Sequence, residues 1–195
     1  MVSTLSGLAR ADQDKITAAV AAAQARSEAR LAFVVVPASD RYQLYPIIWG
    51  AAFSFLLMCA LALGAPHVGF RLGAIFTLAA FLLSSLLLEW RPLRMRIVPR
   101  RVKHGHAHAF AHREFAARIL SHRERQGGVL FFVSLAERYS EVIADHTLHK
   151  EAGQAAWDKI VADFTASAAS GRIADGAVSG AKACGDLLAQ HRPKG

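Results

Sequence analysis

The sequence predicts an α/β fold: a small mixed sheet sandwiched between helices (α/β/α), interrupted by a two-helix transmembrane hairpin. Three observations predict it. Residues 46–63 and 72–88 are two apolar runs without a charged side chain. Short, β-rich apolar segments stand on either side of them, at residues 31–36 and 129–133. Segments with apolar residues at helical spacing precede the first strand and follow the last.

In chain order, residues 1–7 are expected to fray. Asp12 or Asp14 caps a helix running to about residue 30, with Ile16, Ala19, Val20 and Ala23 on one narrow apolar face. Ser27 is next on that face and weakens the stripe. Residues 31–36 (Leu-Ala-Phe-Val-Val-Val) are continuously apolar and stop at Pro37, the pattern of a strand covered on both faces.

A membrane span needs roughly 17–25 apolar residues, whereas runs of about 10–14 suit soluble cores. The two runs reach the lower end of the membrane range. Between them, Gly64, Pro66 and Gly69 make a breaker-rich turn. Tyr42, Tyr45 and Trp49 precede or open the first run and Trp90 ends the second, as interfacial aromatics do. Arg91, Arg94, Arg96, Arg100, Arg101 and Lys103 follow the second run, against Arg41 before the first and Arg71 in the turn. Basic residues concentrate on the cytoplasmic side, so both chain ends are expected there. The same collar suits anionic headgroups, at about 1 kcal/mol per residue. It carries much of the net charge of +8, so the expected partner is a lipid bilayer, with no nucleic acid. Residues 1–30 contain no apolar core of a cleaved leader.

Beyond the collar, residues 104–121 read as a helix with Phe110, Phe115, Ile119 and Leu120 as its apolar positions. Gln126-Gly127-Gly128 is a turn. Residues 129–133 (Val-Leu-Phe-Phe-Val) form a second buried strand, 134–138 a turn, and 139–144 a third, partly alternating strand. Trp157, Ile160, Val161 and Phe164 mark a helix over 153–169. Ile173, Ala177, Ala181, Cys184, Leu187 and Leu188 mark another over 173–189. The tail 191–195 is expected to be disordered. Two crossings return the chain to its starting side, so the strands flanking the hairpin can pair. The organisation is then one discontinuous domain (12–40 with 104–190), a hairpin (45–90) and a basic juxtamembrane segment (91–103). Without the hairpin about 150 residues remain, an ordinary domain size. Cys59 and Cys184 fall in different regions and predict no disulfide.

The ordered set of signatures resembles a known family. It comprises an amphipathic helix, the strand ending Phe33-Val34-Val35-Val36, and Gly-Val-Leu-Phe-Phe-Val-Ser (128–134). Glu137-Arg138 then leads into Glu141-Val142-Ile143-Ala144-Asp145. A Trp-x-x-Ile-Val helix (157–161) and Gly171-Arg172-Ile173-Ala174-Asp175-Gly176 complete it. Over about residues 12–190 the chain is similar to the TPM domain, in particular to short bacterial members with two spans inside the domain. The resemblance implies an α/β/α sandwich at a bacterial inner membrane. For some members it also implies phosphatase activity and the binding of a divalent cation such as Ca2+ or Mg2+, without assigning a cofactor to this chain. Many relatives carry a Gly-x-Gly loop after the third strand. Here Asp145-His146-Thr147-Leu148-His149 stands instead, which argues against close backbone approach to a phosphate.

Ligands of α/β sheets gather at strand C-terminal ends. Asp40, Glu137 and Asp145 each follow a strand. Were those ends to converge, the three carboxylates would suit a hard cation. Antiparallel pairing of the last two strands would instead send Glu137 and Asp145 to opposite edges. His146 and His149, beside Asp145, make a second cluster able to hold a metal or to titrate near neutrality. His104, His108 and His112 share a helix face at the spacing of a zinc-binding pair. No acid three or four residues away completes a signature, so a polar face near the membrane is the expected reading. No nucleophile elbow, Walker loop, zincin helix or dinucleotide fingerprint stands in the chain. The expected function is a non-catalytic binding or scaffold module with a membrane-protein partner; the alternative is a divalent-cation-dependent phosphatase-like hydrolase.

Overall fold

The computed structural model describes residues 4–40, 42–64, 69–121 and 127–194. The expectations for residues 1–3 of the start, for Arg41, for residues 65–68 of the turn, for Gln126 and for Gly195 of the tail lie outside the described residues. The chain divides into two compact units: Met1–Ser39 with His104–Gly195, and Asp40–Lys103.

The first unit is mixed α/β. Among the described residues, β1 (Thr4–Leu5), β2 (Arg30–Val36), β3 (Gly128–Ser134) and β4 (Tyr139–Ala144) form one sheet in the order β1-β2-β3-β4. β2 is parallel to both β1 and β3, while β4 runs antiparallel to β3. The strands on either side of the apolar region therefore share a sheet, with Arg30 opposite Gly128 and Val36 opposite Ser134. β1 corrects the frayed start: Thr4 and Leu5 lie opposite Val34 and Val35, and Arg118 donates to Thr4 Oγ1 at 2.8 Å.

Side chains alternate across a strand. Phe33 and Val35 of β2 and Phe131 and Val133 of β3 face a core built with α1 (Arg10–Ala25), α6 (His146–Ala152), α7 (Gln154–Ala169) and α8 (Ile173–His191). Val34, Leu130 and Phe132 face the other way, onto α5 (Arg100–Phe115) and the π-helical turn Ala116–Leu120 that continues it. Burial on both faces explains why β2 and β3 read as unbroken apolar runs. Phe131 stacks on Phe33 at 4.7 Å between centroids and meets the edge of Phe164 at 5.3 Å.

Several elements differ from the sequence reading. α1 starts behind Ala9 with no side-chain cap; Asp12 lies in its first turn, where a negative charge suits the helix dipole. It ends at Ala25, and buried Ser27 leaves the helix to donate to Leu188 O at 3.2 Å and Arg192 O at 2.7 Å. α5 buries Ala107, Ala111 and Phe115, whereas Leu120 is 59% exposed. The two alanines allow close approach to the sheet. α6 replaces the loop expected after the third strand. The tail is tied down: Arg192 donates to both Glu151 oxygens at 2.7 and 2.9 Å, and Pro193 bridges Ser27. Cys184 is fully buried, which pushes its thiol up to about 12.

The second unit contains α2 (Leu44–Gly64), α3 (Phe70–Leu88) and α4 (Arg91–Ile97). α2 and α3 are long and apolar enough to cross a membrane. They run antiparallel: Gly50 meets Ser84 and Ser85, while Met58 and Ala62 share a groove with Phe70 and Ala74. A Cβ on Gly50 would stand 2.3 Å from Ser85 Oγ, so the helices touch backbone to side chain there. Ser54, one turn on, donates to Gly50 O at 2.7 Å. Small residues at such a crossing are the usual means of close packing between apolar helices. The basic segment is helical in part, and Lys103 Nζ donates to Met95 O at 2.8 Å.

Candidate functional site

Two periodicities meet at one edge of the first unit. On α5 the buried stripe is Ala107, Ala111 and Phe115. His104 and His108 are one position further round, as is His112, so they flank that stripe. On β4, Glu141 lies opposite Phe132 and Ile143 opposite Leu130, which places Tyr139, Glu141 and Ile143 on the face covered by α5. β4 is the last strand of the sheet. Its α5-facing side chains therefore reach the histidines at the border between core and solvent.

His108 Nδ1 lies 3.1 Å from each oxygen of Glu141. His112 Nε2 lies 4.0 Å from Glu141 Oε1, and the two imidazole centroids are 4.3 Å apart. Tyr139 Oη donates to Glu141 Oε2 at 2.8 Å. His104 tilts its ring against Tyr139 at 5.4 Å instead of joining the carboxylate. An ionised carboxylate only accepts, so His108 Nδ1 carries the proton when it bonds to Glu141. Burial, then the bond to Glu141 and its charge, raises the Tyr139 phenol above its ordinary value, at which it is already a donor at neutral pH. The histidine side chains are half exposed (53% and 52%) and Glu141 is 22% exposed, so the cluster is open to solvent. Among the described residues, these three form the one group of His, Cys, Asp or Glu whose potential ligand atoms all lie within 4.8 Å of one another.

The residues expected from sequence sit elsewhere. Glu137 is buried; it accepts from Ser39 N at 3.0 Å, from Ser39 Oγ at 2.9 Å and from Ser134 Oγ. It fastens the end of β2 to the β3–β4 turn. Asp145 caps α6, accepting from Thr147 N at 2.8 Å and Leu148 N at 3.0 Å, and its other oxygen accepts from Gly128 N at 3.0 Å. The convergence of carboxylates is corrected for this pair. In an antiparallel hairpin the turn and the far end lie at opposite edges, here about 20 Å apart along β3. Asp40 is exposed and opens the second unit. His146 and His149 are exposed on α6, beside a carboxylate whose two oxygens both hold backbone N–H groups.

The acid that completes the histidine pair is not three or four residues away on the helix but 33 residues from His108, on β4. One signal for it existed: the alternation Tyr139-x-Glu141-x-Ile143 sets a carboxylate among residues bound for a covered face. A cavity of about 420 Å3 between Leu135, Arg138, Phe164 and Ile173 has a mostly apolar lining without carboxylate or imidazole. No protein-family model, curated protein or solved structure matches the chain, so its own geometry is what identifies this edge as the candidate site.

Proposed function

We propose that the chain is a two-pass membrane protein whose first unit is a non-catalytic binding or scaffold module at the cytoplasmic face of a bacterial inner membrane. The observation that carries this reading is the outward surface of α2 and α3. Their 21 and 19 residues are almost unburied by the chain itself, with Leu83 and Leu86 leaving 68% and 73% of their surface exposed. Such a surface needs a cover. Each Leu, Ile, Phe or Val near a bilayer centre favours insertion by about 0.3–0.6 kcal/mol, and helices satisfy their own backbone in hydrocarbon.

The basic residues from Arg94 to Lys103 favour the cytoplasmic side for the α3 exit and attract anionic headgroups. β2 and β3 pair across the hairpin in sequence, which requires both flanks in one compartment. We read the first unit as an α/β/α domain of TPM type, on its element order and on the helices packed against both sheet faces. Its partner is a membrane protein docked to that domain. The phosphatase alternative gains nothing from Glu137 and Asp145, whose carboxylates hold the fold at opposite sheet edges.

The test is carbonate extraction of membranes together with periplasm-activated reporters. The protein is expected to stay in the pellet, silent with the reporter after Gly195 and active with the reporter after Gly64. Extraction into the supernatant, or an active reporter after Gly195, would overturn the reading.

A further inference from the structure

We propose that His108, His112 and Glu141 bind one divalent transition-metal ion of the Zn2+ type, with water completing the coordination. The site is independent of the membrane reading. Its donors are two imidazole nitrogens and one carboxylate oxygen. That set suits zinc and its first-row neighbours, while Mg2+ and Ca2+ take oxygen ligands. It therefore differs in kind from the hard-cation site expected at Asp40, Glu137 and Asp145.

The geometry is close to what an ion needs. Zinc bonds of about 2.0–2.1 Å place neighbouring ligand atoms of a tetrahedron about 3.3 Å apart. Here His108 Nδ1 and Glu141 are 3.1 Å apart, and every pair of ligand atoms lies within 4.8 Å. Closing the longer pairs takes a rotation of His112, whose side chain is 52% exposed and packs edge-on against His108. The supports are rigid. The histidines stand on a helix seated by Ala107 and Ala111, and Glu141 is held in the β3–β4 ladder. Tyr139 is a positioning residue: it holds Oε2 at 2.8 Å and leaves Oε1 turned toward His112. Such hydrogen bonds to ligating carboxylates orient metal ligands generally. Half-exposed imidazoles give an ion an entry path.

The competing arrangement is a metal-free hydrogen-bonded cluster, and titration separates the two. The full chain, purified in detergent and stripped with a chelator, is titrated with ZnCl2, MgCl2 and CaCl2 by calorimetry and with CoCl2 by visible absorption. One Zn2+ per chain is expected, with Mg2+ and Ca2+ much weaker, and with the cobalt bands of a tetrahedral site. His112→Ala and Glu141→Gln should each weaken zinc by about tenfold or more and abolish the cobalt bands. Tyr139→Phe should weaken zinc by about tenfold, the lower end of the effect seen for outer-shell partners. His146→Ala and His149→Ala should change nothing. Circular dichroism of each stripped variant checks that the fold is kept. The proposal fails if the unaltered chain takes up no zinc or binds it no more tightly than Mg2+. It also fails if uptake survives both His112→Ala and Glu141→Gln, or is lost with His146 or His149.

Discussion

Asp145 joins three backbone N–H groups, two at the start of α6 and one at the start of β3. Removing an N-cap acceptor costs about 0.5–2 kcal/mol. Asp145→Ala should therefore lower stability by about 1–2 kcal/mol, read from the midpoint of chemical unfolding. Gly127 belongs to the same network. It has φ +85, and a Cβ there would stand 1.6 Å from Asp145 Oδ2. Gly127→Ala should destabilise too, and the double variant should cost less than the two single ones together, because removing the carboxylate removes the clash. Both residues are plain in the sequence, yet their relation is not: it comes from β3 and β4 lying side by side. The same holds for Glu141, whose role depends on His108, 33 residues earlier in the chain.

At the level of elements, legibility followed the strength of the apolar pattern. Ile16, Ala19, Val20 and Ala23 are the buried stripe of α1 as their spacing predicts, and β4 spans the predicted residues. α4 and α6 are seven residues each and carry no apolar stripe. Arg94 and Arg96 made α4 look like a charge collar, and His146 and His149 made α6 look like a loop. What stabilises α6 is its cap, the burial of Leu148, the packing of Ala152 on the core and the Glu151–Arg192 pair. The α2–α3 contact was legible only as a hairpin. Its close crossing at Gly50 leads to a prediction. Gly50→Leu inserts a side chain where Ser85 Oγ already stands, and overpacking of this kind costs about 1–3 kcal/mol. Thermal denaturation in detergent should show the loss, while Gly64→Ala, with open space around it, should be nearly silent.

For the molecule as a whole, the sequence order of strands and apolar runs was enough to place β2 and β3 in one sheet. It did not reveal β1 or the tied tail, because two residues of strand and a polar terminus leave no periodic trace. The first unit has its own two-faced core, so it should survive loss of the second. Replacing residues 40–103 with a flexible linker of about 20 residues should leave a protein that unfolds cooperatively in water, since each doubling of a loop changes the closure cost by only about 0.6 kcal/mol. Gel filtration and circular dichroism during urea unfolding would check it. Aggregation on removal of the detergent would count against the self-sufficient core.

The parallel ladder between β2 and β3 also imposes a schedule on biosynthesis. Arg30 leaves the ribosome roughly a hundred residues before its neighbour Gly128, a delay of about 5–20 s at ordinary translation speeds. Throughout that interval a greasy strand waits with an open edge while the apolar helices are still emerging. Nascent chains of this protein should consequently engage holding chaperones early and release them late, once the second half of the sheet has been made.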